Sequence, residues 1–190
     1  MLESFEKIPV KIYKNPTEGS NALAAQIAHL IKEKQGQNLP CVLGMATGAT
    51  PILLYKELVR MHKEEGLSFK NVVTVNLDEY YPIPRNAYQS YWSFMHRHLF
   101  DHIDIDPKNI HLPNSEWTKE ELKEKCVAYE QTIEKLGGID LQILGIGKNG
   151  HIGFNEPGSS FHSKTRVIHL DQLTRMANVY EWHDLNKVPK

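Results

Sequence analysis

Residues 41–51, CVLGMATGATP, join a short apolar run to a loop of small and hydroxylated residues, and this combination indicates the fold. Residues 41–43 predict a buried strand, and Thr50-Pro51 predicts a helix start, with a cap followed by a proline in the first turn. Small residues between a strand and a helix allow backbone N–H groups to approach an anion. The segment therefore predicts either a phosphate-binding turn, although without the P-loop spacing, or a tight strand-to-helix turn that binds nothing.

The rest of the chain alternates short strand-like runs with longer amphipathic stretches, which is typical of an α/β domain. We predict an open, mostly parallel sheet with helices on both faces, in a Rossmann-like three-layer sandwich. Strands are expected at residues 10–13, 41–43, 72–77 and 141–146. Helices are expected at residues 16–34, 50–65, 90–99 and 118–136.

Composition favours one domain over residues 1–190, because 41% of the residues are hydrophobic and suffice for a single core. The formal charge is −1 and the basic residues are scattered, so neither nucleic acid nor a membrane surface is expected as a partner. No apolar run suits export or a membrane span, and Cys41 and Cys126 lack a C-x-x-C spacing. We expect a soluble, cytoplasmic protein. The loop-like ending at Lys190 suggests a chain that lacks its C-terminal part.

Ligands of open α/β sheets bind beyond the carboxyl ends of the strands. Asp78-Glu79-Tyr80 follows the third predicted strand. A carboxylate there can act as a general base if partial burial raises its pKa. Alternatively, Asp78 only caps a turn, and Glu79 is the stronger candidate for a structural role.

The loop GKNGHIGFNEP, residues 147–157, follows the last predicted strand. His151 carries the side chain whose ordinary pKa lies nearest neutrality, and Glu156 is placed to orient it or to stabilise its charge. A histidine flanked by glycines at the carboxyl end of a strand is a candidate catalytic group. The alternative is an ordinary surface histidine.

Other polar and aromatic clusters predict no further site. The histidines at positions 96, 98, 102 and 111 do not share the spacing of a metal site, and we expect no metal and no cofactor. The aromatic residues Tyr88, Tyr91, Trp92 and Phe94 are expected to be core residues, although Tyr91 is also a candidate for a mobile cover over the site.

At these loops the sequence resembles the glucosamine-6-phosphate deaminase family, within the larger group that also contains 6-phosphogluconolactonases. The resemblance runs from about Ile12 to the end of the chain. It is most specific in residues 43–51, 76–80, 90–95 and 150–157. Lactonases usually continue differently after the histidine, so Phe154-Asn155-Glu156-Pro157 points to the deaminase branch.

The resemblance implies a mechanism and a set of site residues. His151, supported by Glu156 and Asn149, would open the sugar ring. Asp78 would then move a proton between C2 and C1, and hydrolysis of the resulting imine would give fructose 6-phosphate and ammonia. The residues expected to bind the amino sugar phosphate are Gly44, Ala46, Thr47, Gly48, Ala49, Thr50, Glu79, Tyr91 and Gly153.

The sequence departs from the best-known members at three positions. Asn149 replaces an aspartate that bonds the histidine, and Tyr180 replaces an arginine that contacts the phosphate. Ile168 replaces a lysine of an allosteric phosphate site, although Ser159, Ser160 and Arg166 match that site. The alternatives are a lactonase-like sugar-phosphate hydrolase and a sugar-phosphate-binding module without catalysis. A homo-oligomer is possible.

Overall fold

The structure is a computed structural model that describes residues 8–189. Helices α1 to α5 span Pro16–Gly36, Ile52–Glu65, Tyr91–His98, Leu122–Lys135 and Gln172–Trp182. Strands β1 to β4 span Cys41–Met45, Val72–Asn76, Ile110–His111 and Leu141–Gln142. Short 3-10 helices span Phe100–His102 and Pro107–Asn109. Among residues 8–189, no helix has both the length and the apolar composition that crossing a membrane requires.

The four strands form one sheet in the order β3-β2-β1-β4. β1 pairs with β2 along its whole length, from Cys41 opposite Val72 to Met45 opposite Asn76. The two outer pairings are shorter, and all three are parallel. The predicted parallel sheet is confirmed, and its strands end together at one edge, where a ligand of an open α/β sheet would bind.

Alternate residues of the central strands face opposite layers, as the pleat requires. Cys41, Leu43 and Met45 pack in the larger core, which includes buried residues of α1, α2 and α3. Val42 packs in a smaller core with Tyr129 of α4. Helices therefore cover both faces, and the predicted three-layer sandwich is confirmed.

Local sequence explains most helix ends. The Asn15 side chain caps α1 by accepting a hydrogen bond from the Glu18 N–H at 2.9 Å. Gly66 ends α2 in the left-handed conformation, with φ of 72°. The predicted cap at Thr50 is wrong, because Pro51 occupies the cap position of α2 and no side chain bonds to its first turn.

A capping box precedes α4. The Glu121 carboxylate accepts a hydrogen bond from the Thr118 N–H at 2.9 Å, and the Thr118 hydroxyl accepts one from the Glu121 N–H at 3.4 Å. The regular helix begins just after this turn, at Leu122. Similarly, Ser90 caps α3, because its side-chain oxygen accepts a hydrogen bond from the Ser93 N–H.

The strand predicted for residues 10–13 is wrong. This segment pairs with no strand among the described residues, and Ile12 is 92% exposed. A β-branched pattern forms a strand only where another strand offers an edge, because strand preference depends on packing against neighbours.

The strand predicted for residues 141–146 is confirmed only over Leu141–Gln142. One further backbone bond joins Ile143 to β1, which itself ends at Met45. Beyond that point the chain has no neighbouring strand within residues 8–189, and Ile146 is 80% exposed.

Candidate active site

The predicted phosphate-binding loop lies at the carboxyl end of β1 and is shorter than expected. Gly44 lies inside β1, where a Cβ would meet the end of the Gln142 side chain and require it to move. The loop proper is residues 46–50, with Gly48 at a φ of 99° that favours glycine. The Ala46 carbonyl is fixed by a hydrogen bond from the buried Tyr55 hydroxyl.

The N-terminus of α2 faces this loop and suits an anion. Its first turn contains no acidic residue and receives no side-chain cap, so its free N–H groups keep their partial positive charge. Ala46, Thr47, Gly48, Ala49 and Thr50 precede it, and all five are at least partly exposed. This geometry is compatible with phosphate binding, which remains a prediction.

Asp78 lies at the carboxyl end of β2. Burial raises the pKa of its carboxyl to about 7, and the neighbouring Glu79 carboxylate adds to the shift, whereas the Phe154 N–H opposes it. A Cβ on Gly153 would lie 3.1 Å from Asp78 Oδ2 and would collide with Leu77. The glycine therefore allows the 150–157 loop to lie against the Asp78 carboxylate.

Glu79 holds the start of α3. Its Oε1 accepts hydrogen bonds from the Tyr80 and Tyr91 N–H groups at 2.8 and 2.9 Å, and its Oε2 accepts one from the Trp92 N–H at 3.0 Å. Burial nonetheless leaves the pKa of Glu79 above its ordinary value. Both oxygens are occupied by backbone donors, which supports the structural role for Glu79 over the predicted contact with substrate.

The loop that carries His151 folds back on itself. Gly147 donates its N–H to the His151 carbonyl at 2.8 Å, and a Cβ on Gly147 would collide with the imidazole ring. Gly150 closes the turn with a φ of 88° and an N–H bonded to the Gly147 carbonyl at 2.9 Å. Gly147 therefore leaves room for the imidazole ring, and Gly150 allows the tight turn.

Asn149 and Glu156 flank the imidazole. Asn149 Oδ1 lies 2.6 Å from His151 Nδ1, and Asn149 Nδ2 donates to Glu156 Oε2 at 2.8 Å. Glu156 Oε2 itself lies 3.8 Å from Nδ1. Burial opposes ionisation of Glu156, but hydrogen bonds from Thr174, Asn149 and the Asp171 N–H outweigh it and lower its pKa. Glu156 is thus a carboxylate close to a partly buried histidine.

Thr174 is a member of this network that sequence analysis missed. It lies on α5, is almost fully buried, and places its Oγ1 3.0 Å from His151 Nδ1. No motif surrounds it, and a threonine in a helix gives no signal of its own. Only the fold brings it to His151, 23 residues earlier in the chain.

Tyr91 belongs to an aromatic cluster between the loops. Its ring stacks on Phe154 at 5.5 Å and lies 5.0 Å from Tyr80, which also contacts Trp182. Tyr91 thus packs against the third predicted loop through Phe154, and its role in a mobile cover stays a prediction.

The other aromatic residues of that segment are not all core residues. Phe94 is buried as predicted, but Tyr88 is exposed and lies under the Arg97 guanidinium. Trp92 is partly exposed, with the Arg85 guanidinium 3.5 Å from its ring centre. Both rings therefore have a cation contact instead of a core environment.

A cavity of about 230 Å³ lies beside Asp78, on the side of α4. Trp117, Cys126 and residues 163–168 contribute to its wall, but neither the 46–50 loop nor His151 does. The buried Ser115 hydroxyl also lines it and has no hydrogen-bond partner among the described residues. Of the candidate catalytic residues Asp78, Asn149, His151 and Glu156, Asp78 is therefore the one that lines this cavity.

The three departures have defined surroundings. Tyr180 is 58% exposed and donates its hydroxyl to Glu181, so it offers no cation in place of an arginine. Arg166 bonds Asn155 and Ser159, and Ile168 lies along the neighbouring segment.

Within residues 8–189, no group of three histidine, cysteine, aspartate or glutamate side chains has the arrangement of a metal site.

Fold and site together define an α/β protein of the open parallel-sheet class, with its candidate site at the carboxyl edge. Residues 14–172 match the family described as glucosamine-6-phosphate isomerases/6-phosphogluconolactonase. The chain therefore belongs to that family.

Proteins similar to the chain carry deaminase names. A glucosamine-6-phosphate deaminase of Lysinibacillus sphaericus is 49% identical over 166 residues, which cover 87% of this chain and 69% of that protein. A deaminase-like protein of Bacteroides thetaiotaomicron is 48% identical over 175 residues, covering 92% of this chain but only 26% of that protein. A solved structure of a monomeric glucosamine-6-phosphate deaminase superposes with a TM-score of 0.91 at 43% identity, covering 96% of this chain and 73% of that one.

Proposed function

We propose that the chain is a glucosamine-6-phosphate deaminase, which converts glucosamine 6-phosphate and water into fructose 6-phosphate and ammonia. The observation that carries the proposal is the contact between two loops at the carboxyl edge. The loop of His151 lies against the Asp78 carboxylate through Gly153, which supports a site in which the histidine and a carboxylate of raised pKa act on one substrate.

Binding of the sugar phosphate is assigned to the 46–50 loop and the start of α2. The uncapped N–H groups of α2 would bind the phosphate oxygens, and Thr47 and Thr50 would add hydroxyl donors. Since Tyr180 supplies no positive charge, backbone donors carry more of the binding than in a site with an arginine. The substrate would then extend from this loop toward Asp78.

Ring opening is assigned to His151. A cyclic sugar opens when a proton leaves the hydroxyl on C1 and a proton reaches the ring oxygen, and one imidazole can serve both transfers. Asn149 faces Nδ1, which leaves Nε2 to take and return the proton. The Glu156 carboxylate, 3.8 Å from Nδ1, would stabilise the imidazolium formed in between.

Isomerisation is assigned to Asp78. Its ionised form would remove the proton on C2 of the open-chain amino aldehyde and return it to C1. A second proton would pass from the amino group to O1, which leaves a ketose imine. Water adds to this imine, and the C–N bond breaks to release ammonia and fructose 6-phosphate. A carboxyl pKa of about 7 makes Asp78 a stronger base than an ordinary aspartate while it is still ionised above neutral pH.

The test is to measure two reactions with the same preparation. Ammonia release from glucosamine 6-phosphate, followed by a coupled assay, should be present and should be lost in Asp78→Asn. Hydrolysis of 6-phosphogluconolactone, the reaction of the other branch of the family, should be absent. Lactone hydrolysis without ammonia release, or sugar-phosphate binding with neither reaction, would refute the proposal.

A further inference from the structure

Thr174 contacts two polar groups of the His151 network. Its Oγ1 lies 3.0 Å from His151 Nδ1 and 3.5 Å from Asn149 Nδ2. The residue is 1% exposed, so its side chain is shielded from bulk solvent.

The orientation of the Asn149 amide indicates which imidazole nitrogen carries the proton. Nδ2 must face the Glu156 carboxylate at 2.8 Å, because two oxygens at that distance would repel each other. Oδ1 therefore faces His151 Nδ1 at 2.6 Å, and Nδ1 must carry the hydrogen. The neutral imidazole is thus held with Nε2 unprotonated.

The same reasoning fixes the role of the Thr174 hydroxyl. Since Nδ1 carries a hydrogen, Thr174 Oγ1 accepts from it, and the hydrogen is shared between Thr174 and Asn149. The longer contact from Asn149 Nδ2 uses the second lone pair of Oγ1.

We propose that Thr174 is a positioning residue for His151, and that its hydroxyl accepts the Nδ1 hydrogen jointly with Asn149. Thr174 thereby helps to keep Nε2 free for proton transfer. The effect on turnover rests on the function proposed above. The effect on the imidazole proton does not, so the two can be tested apart.

The experiment replaces Thr174 in the whole chain. Thr174→Val keeps the shape and removes the hydroxyl, Thr174→Ala removes the hydroxyl without a β-branched side chain, and Thr174→Ser keeps it. Thr132→Val is the matched control, because the Thr132 hydroxyl bonds only the Ala128 carbonyl of its own helix. The readouts are the ¹⁵N NMR signals of the His151 ring, assigned with His151→Gln, and kcat and KM for ammonia release.

In the unchanged protein and in Thr174→Ser, the ¹⁵N signals should show Nδ1 protonated and Nε2 free. Thr174→Val and Thr174→Ala lose one of the two acceptors of the Nδ1 hydrogen and keep Asn149. The ratio of this tautomer to the other should therefore fall about tenfold, with kcat falling by a similar factor and KM changing less than twofold. Thr132→Val should change neither readout.

An unchanged tautomer ratio in folded Thr174→Val or Thr174→Ala would overturn the proposal, as would a Thr174→Ser protein that behaves like Thr174→Val. If ammonia release is absent from the unchanged chain, the proposed function fails, whereas the tautomer ratio still decides the role of Thr174.

Discussion

The side-chain amide of Asn149 donates a hydrogen bond to the Glu156 carboxylate at 2.8 Å, and its carbonyl oxygen faces His151. An amide is suited to this place because it offers a donor on one side and an acceptor on the other. An aspartate in the same position would present an oxygen to a carboxylate that the surrounding hydrogen bonds keep ionised.

Asn149→Asp is therefore expected to destabilise the protein in a pH-dependent way. Two carboxylates in contact cannot both ionise without cost, so one of them should have a raised pKa. The loss should be about 1 to 2 kcal/mol at pH 8 and should shrink as pH falls toward 4, where one carboxyl is protonated. Urea unfolding at several pH values measures it.

Asn155→Asp is the control for this variant, because the Asn155 side chain accepts a hydrogen bond from Arg166 and a new carboxylate there meets a cation. The interpretation fails if Asn149→Asp is as stable as the unchanged protein at pH 8, or if its loss is the same at every pH.

Asp78→Asn should nearly abolish ammonia release while changing substrate affinity by less than tenfold, because the amide keeps the shape and removes the base. In the unchanged protein the active form is the ionised carboxylate, and its pKa is about 7. The rate should therefore fall as pH drops through this value. A pH–rate profile measures it, and a profile flat from pH 8 to pH 5 would contradict the assignment of Asp78 as the base.

His151→Gln should impair the reaction of the cyclic sugar more than that of an analogue that cannot close the pyranose ring. Ring opening is the step assigned to His151, and a 5-deoxy analogue of the substrate lacks the oxygen that closes this ring. The ratio of kcat/KM for the two compounds, compared between variant and unchanged protein, measures the effect. Equal losses on both compounds would show that the imidazole acts in another step.

Glu79→Ala should lower the free energy of unfolding by about 2 to 4 kcal/mol, because three backbone N–H groups lose their acceptor inside the protein. Glu79→Gln keeps one acceptor oxygen and should lower the free energy of unfolding by less. Urea unfolding measures both, with Glu64→Ala, an exposed change on α2, as the control. A large rise in KM with unchanged stability would instead support a direct contact between Glu79 and the substrate.

The sequence was sufficient to predict the parts of the fold that local pattern determines. β1 and β2 are apolar and central, and α1 and α2 lie close to the bounds expected for them. Residues 10–13 have the same kind of pattern but no strand beside them, which no local signal reveals.

The candidate site was predictable to a similar extent. Asp78 and His151 follow strands, so the topology of a parallel sheet places them at one edge. Thr174 is different, because its contact with His151 depends on how α5 packs against the loop. Glu79 is intermediate. Its position favoured a structural role, and the family resemblance implied a substrate contact. Its carboxylate meets the start of α3, 12 and 13 residues further along.

The hydrogen bonds from Tyr91 and Trp92 to Glu79 also affect hydrogen exchange at the start of α3. N–H groups in the first turn of a helix lack partners within the helix and usually exchange their hydrogens with solvent quickly. At Tyr91 and Trp92 those hydrogens are bonded to the partly buried Glu79 carboxylate. Their exchange with deuterium is therefore tied to opening of the whole junction between β2 and α3, so the amide at position 91 reports on whether the end of the sheet and its aromatic neighbours separate as one unit.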